Sequence, residues 1–405
     1  GSNRSGGLSA AGKSKAGTAT SAGTASRKEG ERPVSKLRPK APITALDSDS
    51  IFDVAKKMAL NRVDAALLLD AEGALSGIIT DNDVTRRVIA VSLVSSDTLV
   101  SAVMTKNPKC VQSADSALDA LEMMVDNRFR HLPVMDEQGV VVGLLDIAKC
   151  LYDAISVLEK VQGGGEEGSE KDGAGTGNAM AKAMTEAMKK AAGGRGTNKQ
   201  QLLAIQAMME TMFGGEVPTL RTILGGSGKV QSVLPGATIT EASKLMAEMR
   251  KGVLVMDAKR GKELLGILTP KDLLNRVIAK GLSPDETLVS EVMTPNPDCV
   301  TGDLTLLEAL REMYEHKYLH LPVREADGRV IGIVDVMELV CSTAGNGSSG
   351  GKGWRDFFSG AMAANGGNGR DTDSDRGSNR SGGLSAAGKS KAGTATSAGT
   401  ASRKE

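Results

Sequence analysis

Two blocks of the chain, 34–160 and 217–342, carry regular apolar periodicity. In the first block SIFDVAKKMALN spaces Ile51, Val54, Ala55 and Met58 as one face of an amphipathic helix. DAALLLD is a short unbroken apolar run bounded by charge, which predicts a strand. AEG is a turn, ALSGIIT a second strand, and DNDVTRRVIA opens a second helix. The next stretch repeats the theme: DSALDALEMMVDN (helix), HLPVMD (strand), EQG (turn), VVVGLLD (strand), IAKCLYDAISVLEK (helix). The unit reads strand, helix, strand, strand, helix, so the expected class is α/β, of the α+β kind. A unit of about 60 residues is marginal by itself, so neighbouring units must bury their sheets and helices against each other.

The two blocks are copies. RRVIAVSLVSSDTLVSAVMTKNPKCV (86–111) aligns with NRVIAKGLSPDETLVSEVMTPNPDCV (275–300) at an offset of 189. The same offset carries Gly77 to Gly266, Thr80 to Thr269, Asp83 to Asp272, His131 to His320 and Gly143 to Gly332. Within each block a shorter repeat of 66 residues links Gly77 to Gly143 and Gly266 to Gly332.

Between the blocks QGGGEEGSEKDGAGTG reads as a flexible polar linker. Two helices are expected after it. NAMAKAMTEAMKKAA aligns Met180, Met184 and Met188, and NKQQLLAIQAMMETMF aligns Leu202, Ile205, Met209 and Met212. Such Met stripes read as packing faces. The chain after 342 is Gly-, Asn- and Ser-rich, broken by the aromatic segment WRDFFSGAM, a candidate for docking. Residues 1–29 recur unchanged at 377–405, which reads as the start of a second tandem unit and hence as a piece of a longer chain. Within that tail GLSAAGKS (7–14) fits the phosphate-loop pattern. A phosphate loop needs a strand before it and a helix after it, and this one has neither, so it reads as tail composition.

Composition excludes several classes. Net charge is +1, and five Phe, three Tyr and one Trp give few platforms for stacking bases. No run approaches the roughly 18 apolar residues of a membrane span. Cys110, Cys150, Cys299 and Cys341 lie far apart and read as small apolar residues of a reduced, cytoplasmic compartment. They and the three histidines show no metal-ligand spacing, and no covalent cofactor or metal is expected. No nucleophile–base pair lies outside the repeats, so no enzyme is expected.

HLPVMDEQGVVVGLLD, GIITDND and VMTKNP resemble the cystathionine-beta-synthase (CBS) domain family. The resemblance covers both blocks and implies four CBS repeats in two tandem pairs, or Bateman modules. VSKLRPKAPITALDSDSIFDVAKKM, LLDIAKCLYDAI and LSPDETLVSEVMTPNP resemble plant and fungal members that add a Phox-and-Bem-type ubiquitin-like domain. The likeness stops near residue 345, and that domain is not visible here. The expected organisation is a disordered basic tail (1–33), then a first module (34–160, repeats 34–92 and 98–160). A flexible then helical linker (161–216) leads to a second module (217–342, repeats 217–281 and 287–342) and a disordered tail (343–405).

In nucleotide-binding CBS pairs the motif G-h-h-[ST]-x-x-D closes the last strand. The resemblance therefore implies that Thr80 and Thr269 donate to phosphate while Asp83 and Asp272 accept from the ribose hydroxyls. Lys271 adds charge near the phosphate. Thr-x-x-Asp before an apolar helix is also a helix-capping pattern, and that reading stands beside the first. The second motif of each block starts on Asp146 or Asp335 instead of a hydroxyl. A carboxylate about 4 Å from a phosphate charge costs about 4 kcal/mol at an effective dielectric near 20. One usable site per module is expected, with Lys149 unable to accept from ribose and Glu338 able to. Arg130, His131 and His320 begin the LPV strands, where this family often directs a basic group to phosphate. The two histidines read equally well as interface strand residues.

The function implied is a non-catalytic regulator that binds AMP, ADP, ATP or an adenosyl ligand such as S-adenosylmethionine, and passes occupancy to a partner protein or a second copy. A ligand-free assembly scaffold is the alternative. Nucleic acid and membrane are not expected as partners.

Overall fold

The computed structural model describes residues 31–163, 218–225, 230–257, 263–342 and 350–366. The two expected linker helices, most of the linker and the repeated tail segments lie outside the described residues.

The first repeat is built from β1 (Thr44–Leu46), α1 (Ile51–Leu60), β2 (Ala65–Leu69), β3 (Leu75–Thr80), α2 (Asp81–Arg87) and β4 (Thr105–Lys106). Ser50 caps α1 by accepting from Asp53 N at 3.1 Å, and Ile51, Val54, Ala55 and Met58 face inward as the spacing predicts. β1 runs parallel to β2 through the α1 crossover, while β2–β3 and β3–β4 are antiparallel. The second repeat follows with β5 (Val111–Gln112), α3 (Ala117–Asp126), β6 (His131–Met135), β7 (Val141–Asp146) and α4 (Ile147–Gly163). The short strands β1, β4 and β5 have no signal in the apolar pattern because two or three residues cannot show a period.

The second block repeats this order. After α5 (Leu220–Ile223) come β8 (Ser232–Val233), α6 (Ile239–Met249), β9 (Val253–Met256), β10 (Leu264–Leu268), α7 (Pro270–Arg276), α8 (Val289–Val292) and β11 (Thr294–Pro295). The fourth repeat contains β12 (Val300–Thr301), α9 (Leu306–His316), β13 (His320–Arg324), β14 (Val330–Asp335) and α10 (Val336–Ser342). Gly77 and Gly266 serve the same purpose in the two blocks. A Cβ on either would overlap the sulfur of Met104 or Met293.

DAALLLD has no polar alternation because β2 is buried on both faces. Ala65 and Leu67 point one way, into a cluster with Ile78, Met135 and Leu144 that joins the sheets of repeats 1 and 2. Ala66 and Leu68 point the other way, under α1. Leu254, Ile267, Val330 and Ile333 join the sheets of repeats 3 and 4 in the same manner. The helices close the other interface. Ile51, Met58 and Val84 share one core with Ile239, Met246 and Leu273, so repeat 1 packs on repeat 3. Leu121, Met124 and Leu151 share another with Leu310, Met313 and Leu339, so repeat 2 packs on repeat 4. Sheets thus pair within a module and helices pair between modules, closing a ring of four repeats within one chain.

The opening segment of each module completes its second repeat, not its first. Val34 is buried in the repeat 2 core, and Lys40 and Leu144 exchange backbone hydrogen bonds of 3.1 and 2.8 Å. Leu220 is buried in repeat 4, where Leu224 lies 3.0 Å from the Cβ position of Gly332.

The aromatic segment docks as part of a helix, which corrects the tail drawn from residue 343. α11 (Gly350–Gly366) buries Trp354, Phe357 and Phe358 against the repeat 2 and repeat 4 core, and its Arg355 pairs with Asp119 at 2.6 Å. The Trp354 indole donates to Val340 O at 2.6 Å, and its ring meets Phe357 edge-on at 5.4 Å between centroids. The glycine-rich flanks hid this helix, while the apolar area of three aromatics holds it in place. Trp354→Ala is expected to cost about 3–5 kcal/mol in urea unfolding, against about 0.5 kcal/mol or less for a surface substitution. Emission of this sole tryptophan should also be blue-shifted and poorly quenched in the native chain.

Candidate functional site

β3 delivers Thr80 to the first residue of α2, and β10 delivers Thr269 to α7. In both places the capping pattern is realised. Thr80 Oγ1 accepts from Asp83 N at 3.2 Å, while Asp83 Oδ2 accepts from Thr80 N at 3.0 Å and from its hydroxyl at 2.8 Å. Thr269 and Asp272 repeat this at 3.3, 2.9 and 2.7 Å. The other carboxylate oxygen meets Arg87 at 3.4 Å in the first cup and Arg276 at 3.2 Å in the second. Those arginines are themselves fixed by the carbonyls of Val103 and Val292, each at 2.7 Å.

α2 packs on α7 across the module boundary, so the two Thr–Asp cups open into one cavity of about 1000 Å3. All four repeats line it. Thr80, Asp83, Arg130 and His131 of the first module reach it, as do Thr269, Asp272 and His320 of the second. Lys251, Lys271 and Glu338 are among the other charged residues of its wall. Among the described residues there is no cluster of His, Cys, Asp or Glu arranged to hold a metal ion.

An ionic network runs through one wall of the cavity. Arg130 binds Asp146 in a bidentate pair of 3.1 and 3.0 Å, and its Nη2 also lies 3.0 Å from Asp64. Asp64 in turn binds Lys271 of the other module at 2.7 Å. Burial pulls the Asp64 carboxyl upward, but Arg130 and Lys271 outweigh it and hold the group below its ordinary range. Asp146 is held low in the same way, and Arg130 is raised by its two acids despite burial. Asp81, 7% exposed, is pushed up to about 7 by burial and then by the neighbouring Asp64 charge. Burial and the Arg130 charge press both His131 and His320 down to about 4, leaving each imidazole neutral at pH 7.

The structure brings Thr80, Asp83, Arg130, His131, Thr269, Asp272 and His320 into this one space, where separate sites in separate modules were expected. It also gives Asp146 an occupation: it is a counter-ion of Arg130. Lys149 turns away to Asp153 at 2.6 Å. In the fourth repeat Leu319 stands where Arg130 does, so Asp335 has no arginine and burial raises its carboxyl. Asp335 instead caps α10 through Glu338 N at 2.7 Å.

Asp64, Asp81 and Lys251 escaped the motif reading. The signal lay in the comparison of the two blocks, hidden by a two-residue difference in the β2–β3 and β9–β10 turns. Val253 lies opposite Leu268 as Ala66 lies opposite Ile79, which puts Lys251 in the place of Asp64. The charge is inverted: Lys251 binds Glu338 at 2.9 Å and the Ile333 carbonyl at 2.9 Å. Pro270 likewise stands in the place of Asp81.

Sheet order and paired repeats define a class of tandem-repeat α/β proteins whose repeats share a central cavity, and the family follows. The CBS domain model matches residues 34–90, 100–152, 227–279 and 289–341, and the chain belongs to the CBS-domain family. The Arabidopsis thaliana CBS domain-containing protein CBSCBSPB3 is 44% identical over 310 residues, 76% of this chain and 52% of the relative. The chain spans about half the length of the curated relatives it matches. Among solved structures, protein MJ1225 of Methanocaldococcus jannaschii is 13% identical, covering 76% of this chain and 98% of that one, with a TM-score of 0.49. The CBS domain protein PAE2072 of Pyrobaculum aerophilum, solved in complex with AMP, is 26% identical, covering 29% and 90%, with a TM-score of 0.28. Among the described residues no helix is long and apolar enough to cross a membrane.

Burial makes Asp81 a pH-sensitive element of stability. Its folded value lies above the ordinary value of 3.8, at about 7, so the native state holds the extra proton between them. Its contribution is fully present below about pH 4 and is lost as pH rises through 7. His131 and His320 act with the opposite sign: their contribution is present above 6.5 and lost as pH falls through about 4. Asp81→Asn isolates the carboxyl. Urea midpoints should show this variant gaining on the wild type from pH 5 to about pH 7 and levelling off above it, and a constant difference across that range would contradict the assignment.

Proposed function

We propose that this protein is a non-catalytic regulator. Its central cavity binds an adenosyl ligand, AMP, ADP, ATP or S-adenosylmethionine, and occupancy is passed on through the packing of the two modules to a partner protein or a second copy. The observation that carries this reading is that a Thr–Asp cup from each module opens into a single cavity lined by all four repeats. A pocket of that size with a few convergent polar groups is the ordinary form of a small-molecule site. The carboxylates of Asp83 and Asp272 suit a vicinal diol, and the threonine hydroxyls and Lys271 suit a phosphate. Because the cavity lies on the boundary between modules, a ligand that prefers one packing of α2 on α7 shifts that packing. The typical coupling is about 1–3 kcal/mol.

One observation favours the scaffold reading: both cups are already closed as capping boxes, and both acids already hold an arginine. Titration calorimetry of the full chain with AMP, ADP, ATP and S-adenosylmethionine separates the two. Binding of at least one is expected, weakened about tenfold or more by Asp83→Asn together with Asp272→Asn. Asparagine keeps one acceptor for the cap but loses the charge and one oxygen for the diol. Silence toward all four ligands would leave the scaffold.

A further inference from the structure

The two basic side chains at the centre of the cavity, Arg130 and Lys271, are both held by a carboxylate that does not itself line the cavity. Asp64 sits behind the wall, 8% exposed, 3.0 Å from Arg130 and 2.7 Å from Lys271. Arg130 is further held by Asp146, whereas Asp64 is the acidic partner of Lys271. The contact crosses the module boundary, since Lys271 belongs to the α7 helix that carries the second cup and Asp64 to the first module. In the equivalent place of the second module stands Lys251, so the carboxylate is peculiar to one side of the cavity.

We propose that Asp64 is a resident anion that competes with ligand phosphate for Lys271 and Arg130, and so sets how strongly the cavity discriminates between phosphorylated and unphosphorylated adenosyl ligands. A phosphate at the second cup gains Lys271 only by drawing it from Asp64. That exchange removes an ion pair between the modules, which gives phosphate occupancy a direct route to their packing. A ligand without phosphate leaves the pair in place. Asp64 remains ionised at neutral pH because its two cations outweigh its burial, so the competition operates under ordinary conditions. Asp64 is a positioning residue: it acts on the ligand through Lys271 and Arg130, not by touching it.

The inference rests on the adenosyl-binding reading above, and its test keeps the two apart. The full-length chain is titrated calorimetrically with adenosine, AMP and ATP, with the tryptophan emission confirming the fold. Asp64→Asn should tighten AMP and ATP by about tenfold and leave adenosine unchanged, because removing one nearby negative charge favours only the charged ligands. Lys271→Met should weaken AMP and ATP by a similar factor, again without effect on adenosine. In the double variant the gain from Asp64→Asn through Lys271 should vanish, as a double-mutant cycle reads it. Equal changes for adenosine and the phosphates, or no gain for the phosphates, would overturn the proposal. Should Asp64→Asn not fold, Lys271→Met alone decides, and phosphate affinity unchanged in that variant would likewise overturn it. If the wild-type chain binds none of the three, the adenosyl-binding reading falls and this inference with it.

Discussion

A strand buried on both faces governs this structure. β2 and β9 send alternate side chains into a sheet–sheet core and a sheet–helix core, so no repeat can satisfy itself. The sheet face finds its partner inside the module. The helices that cover the other face still expose an apolar stripe, and the nearest equivalent stripe belongs to the other module. Burying both requires four repeats around a centre, because apolar area removed from water contributes about 25 cal/mol per Å2 and each interface alone is small. The central cavity is what remains where strand ends meet and backbone cannot close-pack.

That centre collects the polar strand ends, and with them the charges. Buried ions are costly unless each is paired and hydrogen-bonded. The network of Asp146, Arg130, Asp64 and Lys271 pairs its charges across the module boundary, and Lys251 pairs with Glu338 within the second module. The two modules therefore share a backbone but differ in charge. The two blocks share the fold, and substitutions such as Asp81/Pro270, Asn82/Lys271 and Arg130/Leu319 make their cavity-facing charges unlike.

Closure of each module by its opening segment follows from the same need. The second repeat of each module lacks an outer strand of its own, and Lys40 beside Leu144, or Leu224 against Gly332, covers that edge. An uncovered edge would leave unpaired backbone groups open to other chains. α11 then seals the repeat 2 and repeat 4 core from outside, with its aromatics supplying the area.

Helix faces, two-sided strands and the fourfold repeat were legible in the chain because they depend on local periodicity and on self-comparison. The Thr-x-x-Asp cups were legible too, although their capping geometry and their place in a site are the same pattern seen from two sides. What the periodicity leaves open is which surfaces meet. Whether helices of repeat 1 face repeat 2 or repeat 3 depends on packing between residues about 190 positions apart, and no local pattern carries it. The same holds for Asp64 and Lys271. Each is an ordinary charged residue beside a strand or a helix, and only the closure of the ring, which buries both apolar faces at once, brings them within 2.7 Å and turns two separate cups into one cavity.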